Sequence, residues 1–312
     1  MGRSWPMVVA IGVWAVAMSE GVSAAAEELA LQPLLQQPIE LVREMETTFF
    51  DHAVGGIQVH TVRDDARDEL VFTREAGVLQ VRTRGLRSSQ WVNGKETENI
   101  FARAAEHPLV MELDDRGQAQ RVVDIAAWVE PIQQSLMQMS GAKQPVNPAP
   151  VEAVLLRSWN TIFGVPWAVL AGRPLALGTT VQFKGRLQLG LPQIGPQITA
   201  IEEAPVVGSV TVTEDGASGA GTLRVRYTYS SEVVLDDDAR TQLVRALGDA
   251  ATHLTAGRWL SASMTGTTEA VMDRATLMFR VLTIEQELQV KGEAGASFRE
   301  ERTVKVRRPN SI

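Results

Sequence analysis

A Ser-x-x-Lys sequence is the first arrangement in this chain that enzymes use for chemistry. Ser140-Gly-Ala-Lys143 has the spacing of serine acyltransfer enzymes, in which the lysine accepts the proton of a serine at a helix start. Here the serine follows a predicted helix, the lysine leads into a proline-rich segment, and no Lys-Thr-Gly sequence occurs. We therefore interpret this match as chance.

Histidines and aspartates are the other residues with catalytic or metal-binding chemistry. None of the histidines belongs to a His-Glu-x-x-His motif, and a zinc site normally needs three or four converging ligands. The aspartate runs at 64–65, 114–115 and 236–238 fall at predicted turns or at a helix start. The sequence thus predicts no metal, no cofactor and no catalytic residue from these four histidines: His52, His60, His107 and His253.

A locally basic stretch suggests an anion contact. Arg82, Arg84 and Arg87 lie on a predicted strand, and guanidinium groups bind phosphate in a bidentate manner. The functional interpretation is contact with an anion or a lipid head group. The alternative is that these side chains are simply the solvated face of a sheet.

Aromatic residues concentrate around two predicted helices and one strand. Lining of an apolar ligand cavity between helices and sheet is one interpretation, and core packing is the other. The residues concerned are Trp128, Trp159, Phe163, Trp167 and Phe183.

Composition limits the class of protein. The 312 residues are 45% apolar and 21% charged, with a net charge of −7, so a disordered chain and a basic nucleic-acid binder are excluded. There is no cysteine, and therefore no disulfide or thiolate chemistry. No apolar run after the first segment is long enough for a transmembrane helix, so we expect no such anchor in the mature chain.

The first 24 residues have the pattern of an export signal. Arg3 precedes an apolar run from Met7 to Met18, and small residues follow at 22–24. We expect cleavage near Ala24 and a periplasmic or secreted mature protein.

Period-two alternation predicts strands in most of the remaining chain. A meander of about six strands is expected over 40–123, a second β region over 174–235, and three more strands near 258–272, 276–291 and 297–308. Helices are predicted at 125–140, 150–163 and 237–255. The resulting division is an N-terminal unit, 25–140, a linker, 141–150, and a C-terminal unit, 151–312, unless 39–308 forms one domain.

These elements predict an α+β, mainly antiparallel fold. A half-buried sheet must cover its apolar face. We expect a curled sheet or half-barrel with about three amphipathic helices packed on it.

Two segments resemble uncharacterised exported β-rich bacterial proteins. Arg173–Val181 is similar to their Pro-hydrophobic-x-hydrophobic-Gly-Asp-x-Trp segment, with Thr180 in place of the tryptophan. Asp273-Arg-Ala-Thr-Leu277, followed by Arg280–Val290, resembles their late hairpin, with Leu277 in place of a glycine. The resemblance covers roughly 170–290 and implies no activity. The predicted architecture is also similar to that of LolA/LolB-like periplasmic carriers.

The sequence favours an exported, non-enzymatic carrier of a lipid or another apolar or amphipathic molecule. An envelope scaffold that binds a protein partner through a sheet edge is the alternative, and a hydrolase is the third possibility.

Overall fold

The computed structural model describes the chain in ten stretches: 15–18, 27–53, 56–97, 107–140, 147–175, 177–190, 200–216, 221–234, 259–292 and 297–309. The strands in the first half are β1 (Ala15–Met18), β2 (Glu27–Leu29), β3 (Pro38–Ala53), β4 (Gly56–Glu75), β5 (Val78–Val92), β6 (Lys95–Thr97), β7 (Leu109–Leu113) and β8 (Ala119–Val123). Those in the second half are β9 (Arg173–Leu175), β10 (Thr180–Gly190), β11 (Ala200–Glu214), β12 (Thr222–Val234), β13 (Trp259–Asp273), β14 (Phe279–Gly292) and β15 (Ser297–Arg307).

Thirteen of these strands form one antiparallel sheet. Its order is β1-β10-β11-β12-β13-β14-β15-β3-β4-β5-β7-β8, with β6 paired to β5, while β2 and β9 form a small separate sheet. The pairing of β15 with β3 joins the two ends of the sequence, and places Val304 opposite Met45. The six strands predicted over 40–123 and the three predicted at the end of the chain are confirmed.

The predicted α+β fold class is wrong. Of the described residues, 68% are in strands and 14% are helical, and the long strands belong to a single unclosed sheet. Period-two alternation was a correct local signal, but it does not show which strands pair. Because β15 pairs with β3, both β regions extend one sheet, and the helices are a minor part of the structure. The helix predicted at 237–255 lies outside the described residues.

Three helices lie between β8 and β9. They are α1 (Ile125–Ser140), α2 (Pro148–Trp159) and α3 (Val165–Leu170), and a π-helical turn, Asn160–Gly164, connects the last two. The second helix was predicted over 150–163, but Gly164 has helical φ and ψ angles and the chain continues into α3. Pro166 lacks the N–H that would bond the carbonyl of Ile162, which explains a local change of helical pitch here.

Asn160 fixes the π-helical turn to the sheet. Its Oδ1 accepts a 2.7 Å hydrogen bond from Ala119 N, and its Nδ2 donates to Ala119 O at 3.1 Å. The amide side chain therefore pairs with β8 as a neighbouring strand would, so the helices have a defined position on the sheet.

The large sheet has two distinct faces. We call the face that carries the buried side chains the inner face, and the opposite one the outer face. On β15 the inner positions alternate regularly: Phe298, Glu300, Arg302, Val304 and Val306 are buried. The inner face is thus apolar along most of each strand but contains charged residues near the middle of β15.

Candidate functional site

A row of alternating large and small residues crosses the inner face. Phe183 on β10 lies opposite Gly208 on β11, which lies opposite Tyr229 on β12, and Tyr229 lies opposite Gly266 on β13. A Cβ atom added at either glycine would collide with the neighbouring aromatic ring. Glycine at these two positions therefore lets each ring lie across the next strand.

The Tyr229 ring spans Gly266 and reaches β14. Gln286 Nε2 donates a 2.6 Å hydrogen bond to the Tyr229 hydroxyl oxygen. Burial raises the pKa of Tyr229 far above its ordinary value, while the hydrogen bond with Gln286 and the charge of Arg302 oppose the rise. The phenol is therefore neutral near neutral pH and is held in place by Gln286.

Arg302 and Glu300 form a buried ion pair beside this tyrosine. Arg302 Nη2 lies 2.7 Å from Glu300 Oε1, and the two side chains are only 8% and 2% exposed. Burial raises the pKa of the Glu300 carboxyl, and the neighbouring Arg302 charge and hydrogen bond oppose the rise. Glu300 Oε2 has no hydrogen-bond partner within the described part of the chain.

Asp64 adds a second buried carboxyl group. Gln90 Nε2 donates to Asp64 Oδ1 at 2.7 Å. Burial raises the pKa of Asp64, whereas this hydrogen bond and the charges of Arg43 and Arg302 lower it. The inner face therefore contains a polar centre of two carboxyls around Arg302, surrounded by apolar side chains.

The sheet splits between β11 and β12. Their pairing ends at Val206 and Ser231. Beyond that point β11 stays with β10 as far as Ala200, while β12 stays with β13 as far as Val234. Pro205, the next residue of β11 along this direction, has no N–H to donate to a ladder, which favours separation here. We call this place the fork.

A cavity of about 360 Å³ lies at the fork. This volume is within the range of small-molecule sites. Two aliphatic side chains, four hydroxyl groups and one carboxylate line it: Pro205, Val207, Ser230, Ser231, Glu232, Ser263 and Thr265. The lining can therefore contact an apolar group and several hydrogen-bonding groups at once.

Ser231 connects the fork with the inner face. The residue is 4% exposed, and its Oγ atom has no hydrogen-bond partner among the described residues. By strand register Ser231 is opposite Met264, Met264 is opposite Leu288, and Leu288 is opposite Glu300. One row of the inner face thus begins at the cavity and ends at the buried ion pair.

The structure brings three of the predicted aromatic residues together. Trp159 and Phe163 have ring centroids 4.7 Å apart, and Trp167 stacks 4.9 Å from Phe279 of β14. Trp167 is fully buried, and its Nε1 donates to Leu277 O at 2.7 Å. These contacts are those of a packed core.

The other two aromatic residues are buried on other elements. Trp128 is buried on α1, and Phe183 is buried on β10 against Gly208. Ligand lining by the five predicted aromatic residues is not tested by these contacts and stays a prediction.

The three predicted anion-binding arginines are exposed on β5. Arg84 forms an ion pair of 3.4 Å with Glu69, and Arg82 and Arg87 also project into solvent. This is the placement expected for the solvated face of a sheet. Anion binding by these arginines stays a prediction.

Among the remaining candidate residues, His60 Nδ1 lies 3.3 Å from Asn93 Nδ2. Lys143 lies outside the described residues, so the interpretation of the Ser140–Lys143 match as chance stays a prediction. Asp114 Oδ1 accepts hydrogen bonds from the backbone N–H groups of Arg116 and Gln118, as expected for a turn. Within the described part of the chain no cluster of His, Asp and Glu has the arrangement of a metal site.

Sequence reasoning missed the residues of the fork and of the ion pair. A signal for the ion pair was present, because Glu300 and Arg302 occupy the same parity as Phe298 and Val304 and must therefore face inward. Pro205 within a predicted strand was the corresponding signal for the fork.

Comparison with known proteins gives distant likenesses only. No protein-family model matches the chain, and no curated protein is similar to it in sequence. A structure described as showing lipid–protein interactions in lipovitellin is 8% identical, with a TM-score of 0.44 over 88% of this chain; the chain spans 25% of that protein.

Two outer-membrane proteins are also distantly similar in structure. Pseudomonas aeruginosa OccK2 (OpdF) is 9% identical, with a TM-score of 0.23 over 88% of this chain and 98% of its own. An outer membrane channel from Pseudomonas putida F1 is 11% identical, with a TM-score of 0.18 over 91% and 100% of the two chains. At these TM-scores the likenesses are too distant to assign a function.

None of the described helices is both long and apolar enough to cross a membrane.

Proposed function

We propose that this protein is a non-enzymatic binding or carrier protein for an amphipathic molecule, which it holds at the fork. The observation that carries the proposal is the cavity of about 360 Å³ where β11 and β12 separate. Pro205 and Val207 offer an apolar wall, and Val207 is 50% exposed. Burying that surface against a ligand tail is favourable by about 25 cal/mol for each Å² removed from water.

Hydroxyl groups on the same face of the sheet support the same proposal. Ser230 lies opposite Val207, Thr265 lies opposite Ser230, and both line the cavity. An apolar wall beside hydroxyl groups matches a molecule with both an apolar and a polar part. This is the amphipathic ligand class that the sequence favoured.

We also propose that the protein acts in the periplasm or outside the cell, after cleavage near Ala24. The charged start, the short apolar run and the small residues at 22–24 support export. Ala15–Met18 forms β1 and pairs with β10 in the full chain. Cleavage would remove that strand and leave β10 at the end of the sheet. Fractionation of expressing cells and N-terminal sequencing of the product test this part.

The binding function is tested by blocking the fork. Val207→Lys introduces a charge into the apolar wall, and Val281→Lys is the matched control because Val281 is also exposed but does not line the cavity. We expect an alkyl probe to bind the wild type and Val281→Lys equally and Val207→Lys at least about tenfold more weakly. Native mass spectrometry after delipidation and calorimetric titration with 1-octanol measure this. Absence of any binding to the wild type would contradict the proposal.

A protein-interaction module is the second candidate, and the free side of β12 favours it. In the described part of the chain, Glu232–Val234 pair with β13 only, and Val234 is 74% exposed. An extended strand of a partner could add to such an edge. Crosslinking in intact cells from a photoreactive residue at position 234 would capture that partner, and an uncrosslinked monomer would argue against this role.

A further inference from the structure

A row of arginine and valine residues crosses the outer face of the sheet. By strand register Arg87 on β5 lies opposite Arg67 on β4, which lies opposite Val42 on β3. Val42 in turn lies opposite Arg307 on β15, and Arg307 lies opposite Val281 on β14. Residues directly opposite each other in an antiparallel sheet project from the same face. We call these five residues the basic row.

The basic row is accessible to solvent. All three arginines are exposed, Val281 is 38% exposed and Val42 is half-buried. The neighbours that point the other way, Ala66, Val306 and Leu282, are buried, which places the row on the outer face. The row therefore presents guanidinium groups and aliphatic side chains to solvent together.

The positive charge of the basic row is only partly balanced. Arg67 forms an ion pair of 2.8 Å with Glu40, but within the described part of the chain no carboxylate lies at ion-pair distance from Arg87 or Arg307. Arg67 and Arg87 are like charges in directly opposite positions, an arrangement that destabilises a sheet. In a chain with 37 acidic and 30 basic residues, this destabilising placement favours a functional role for the row.

The next row of the outer face has a different charge. Two residues further along the strands, the residues that lie opposite one another are, in order, Ser89, Asp65, Glu44, Lys305 and Thr283. That row contains two carboxylates and one ammonium group. An anionic surface would therefore attract the basic row and be repelled by the next one, which favours a single orientation of the sheet.

The spacing of the arginines distinguishes an extended surface from a small anion. Arg87 and Arg307 are three strand spacings apart, which is about 14 Å of sheet. Charges spread over this width suit a surface with many anionic groups. The exposed side chain of Val281 suits the apolar boundary beneath lipid head groups, a feature that a soluble acidic peptide does not offer.

We propose that the basic row docks the outer face of the sheet on the surface of an anionic lipid bilayer. The arginines bind head-group phosphates, and Val281 contacts the boundary with the acyl chains. The sequence-based interpretation of Arg87 is thereby extended to Arg67 and Arg307, which come from other strands. Docking is separate from the proposed ligand binding, because no residue of the basic row lines the cavity at the fork.

Co-sedimentation of the full chain with lipid vesicles tests the docking. One set of vesicles is phosphatidylcholine alone, and the other is equal parts of phosphatidylcholine and phosphatidylglycerol. We expect binding to the mixed vesicles to be at least about tenfold tighter and to weaken as salt is added, because salt screens the attraction. The apolar run Met7–Met18 can enter both kinds of vesicle, so the difference between them measures the charge-dependent part. Equal binding to both would overturn the proposal without bearing on the cavity at the fork.

A double variant assigns the docking to the basic row. Arg87→Gln/Arg307→Gln should weaken binding to the mixed vesicles by at least about tenfold. Lys184→Gln/Lys291→Gln is the matched control, because it removes two exposed basic side chains of the outer face that lie outside the row. The control should stay within about twofold of the wild type. Equal losses in the two double variants would reveal a general effect of charge and overturn the proposal.

A valine variant distinguishes a lipid surface from an acidic protein partner. Val281→Ser should weaken binding to the mixed vesicles about threefold, because less apolar surface is removed from water. Val59→Ser is the control, since Val59 is 50% exposed on the same face but lies outside the row. Poly-glutamate that binds as tightly as the mixed vesicles and loses its affinity in Arg87→Gln/Arg307→Gln would assign the row to an acidic protein and overturn docking on lipid.

Discussion

Arg302 and Glu300 form a buried ion pair on β15 that has an exposed counterpart on the same strand. Arg299 and Glu301 have the same two-residue spacing and the same 2.7 Å separation, but their side chains are 42% and 46% exposed. The two pairs therefore differ chiefly in burial, which makes them a natural comparison.

We expect Arg302→Met to lower the free energy of unfolding by about 3–5 kcal/mol, because it leaves Glu300 as an uncompensated buried charge. The double variant Arg302→Met/Glu300→Leu should be more stable than Arg302→Met alone. Urea unfolding of the four proteins of this double-mutant cycle measures the coupling.

The exposed pair supplies the control cycle. Arg299→Met and Glu301→Leu should show a coupling of about 1 kcal/mol or less. Arg299 also lies over the Phe50 ring at 4.3 Å, and Arg299→Met loses this contact as well as the ion pair. The double-mutant cycle cancels the Phe50 contribution and leaves the coupling between Arg299 and Glu301. Similar coupling energies in the two cycles would contradict the role that we assign to burial.

Asp64 gives a pH dependence opposite to that of an ordinary surface carboxylate. Burial raises its pKa, so the folded protein binds the proton more readily than the unfolded chain. The stability from this proton is complete below the ordinary pKa of the carboxyl and is lost as pH rises through the raised value. We therefore expect Asp64→Asn to become more stable relative to the wild type as the pH is raised from 4 to 7.

Unfolding in urea across that pH range tests this expectation. Asp65→Asn is a suitable control, because Asp65 is the next residue, faces outward and pairs with Arg63 at 2.8 Å. A difference between Asp64→Asn and wild type that stays constant with pH would show that Asp64 keeps an ordinary carboxyl behaviour.

Gly266 allows the Tyr229 ring to lie flat across β13. Gly266→Ala would place a methyl group within the ring, displace the phenol from Gln286 and lower the free energy of unfolding by about 1–3 kcal/mol. Gly216→Ala is the matched control, since a Cβ there meets nothing within 4 Å. Thermal and urea unfolding compare the two, and equal stabilities would argue against a steric role of Gly266.

Local features of the fold were predictable from sequence, whereas the pairing of distant strands was not. The dipeptide Asn93-Gly94 is a typical sequence of a tight hairpin turn, and both residues have positive φ angles, 51° and 76°. That turn depends on two adjacent residues. The pairing of β15 with β3 depends on residues from opposite ends of the chain, and no local pattern specifies it.

The candidate site likewise combines features that the sequence predicts with features that depend on strand pairing. Inward placement of Glu300 follows from strand parity, but its partner could not be chosen without the register of the sheet. The fork needs the pairing on both sides of Pro205, which the sequence alone does not contain. The backbone of Leu277 was also not predictable from the sequence. Leu277 replaces a glycine of the hairpin that this segment resembles, and it has a φ angle of 56°, which glycine adopts most easily.

Trp167 should be essential for stability, because it joins α3 to Phe72 of β4 and Phe279 of β14. Trp167→Ala should lower the free energy of unfolding by about 3–5 kcal/mol. Trp91→Ala, at a half-buried tryptophan under Arg63, should cost clearly less. Denaturant unfolding monitored by circular dichroism compares them, and equal costs would contradict a core position for Trp167.

Pro205 should keep the fork open. Pro205→Val supplies a backbone N–H and a residue that favours strands, so we expect β11 to pair with β12 beyond Val206 and to narrow the cavity. Amide exchange at Glu232–Val234 should become slower, and affinity for 1-octanol should fall by about tenfold or more. Loss of proline also increases the conformational entropy of the unfolded chain, so the free energy of unfolding does not report strand pairing alone. Amide exchange and octanol binding are therefore the quantities to measure. Slower exchange with unchanged octanol affinity would show that the probe binds elsewhere, and unchanged exchange would show that Pro205 is not what separates the strands.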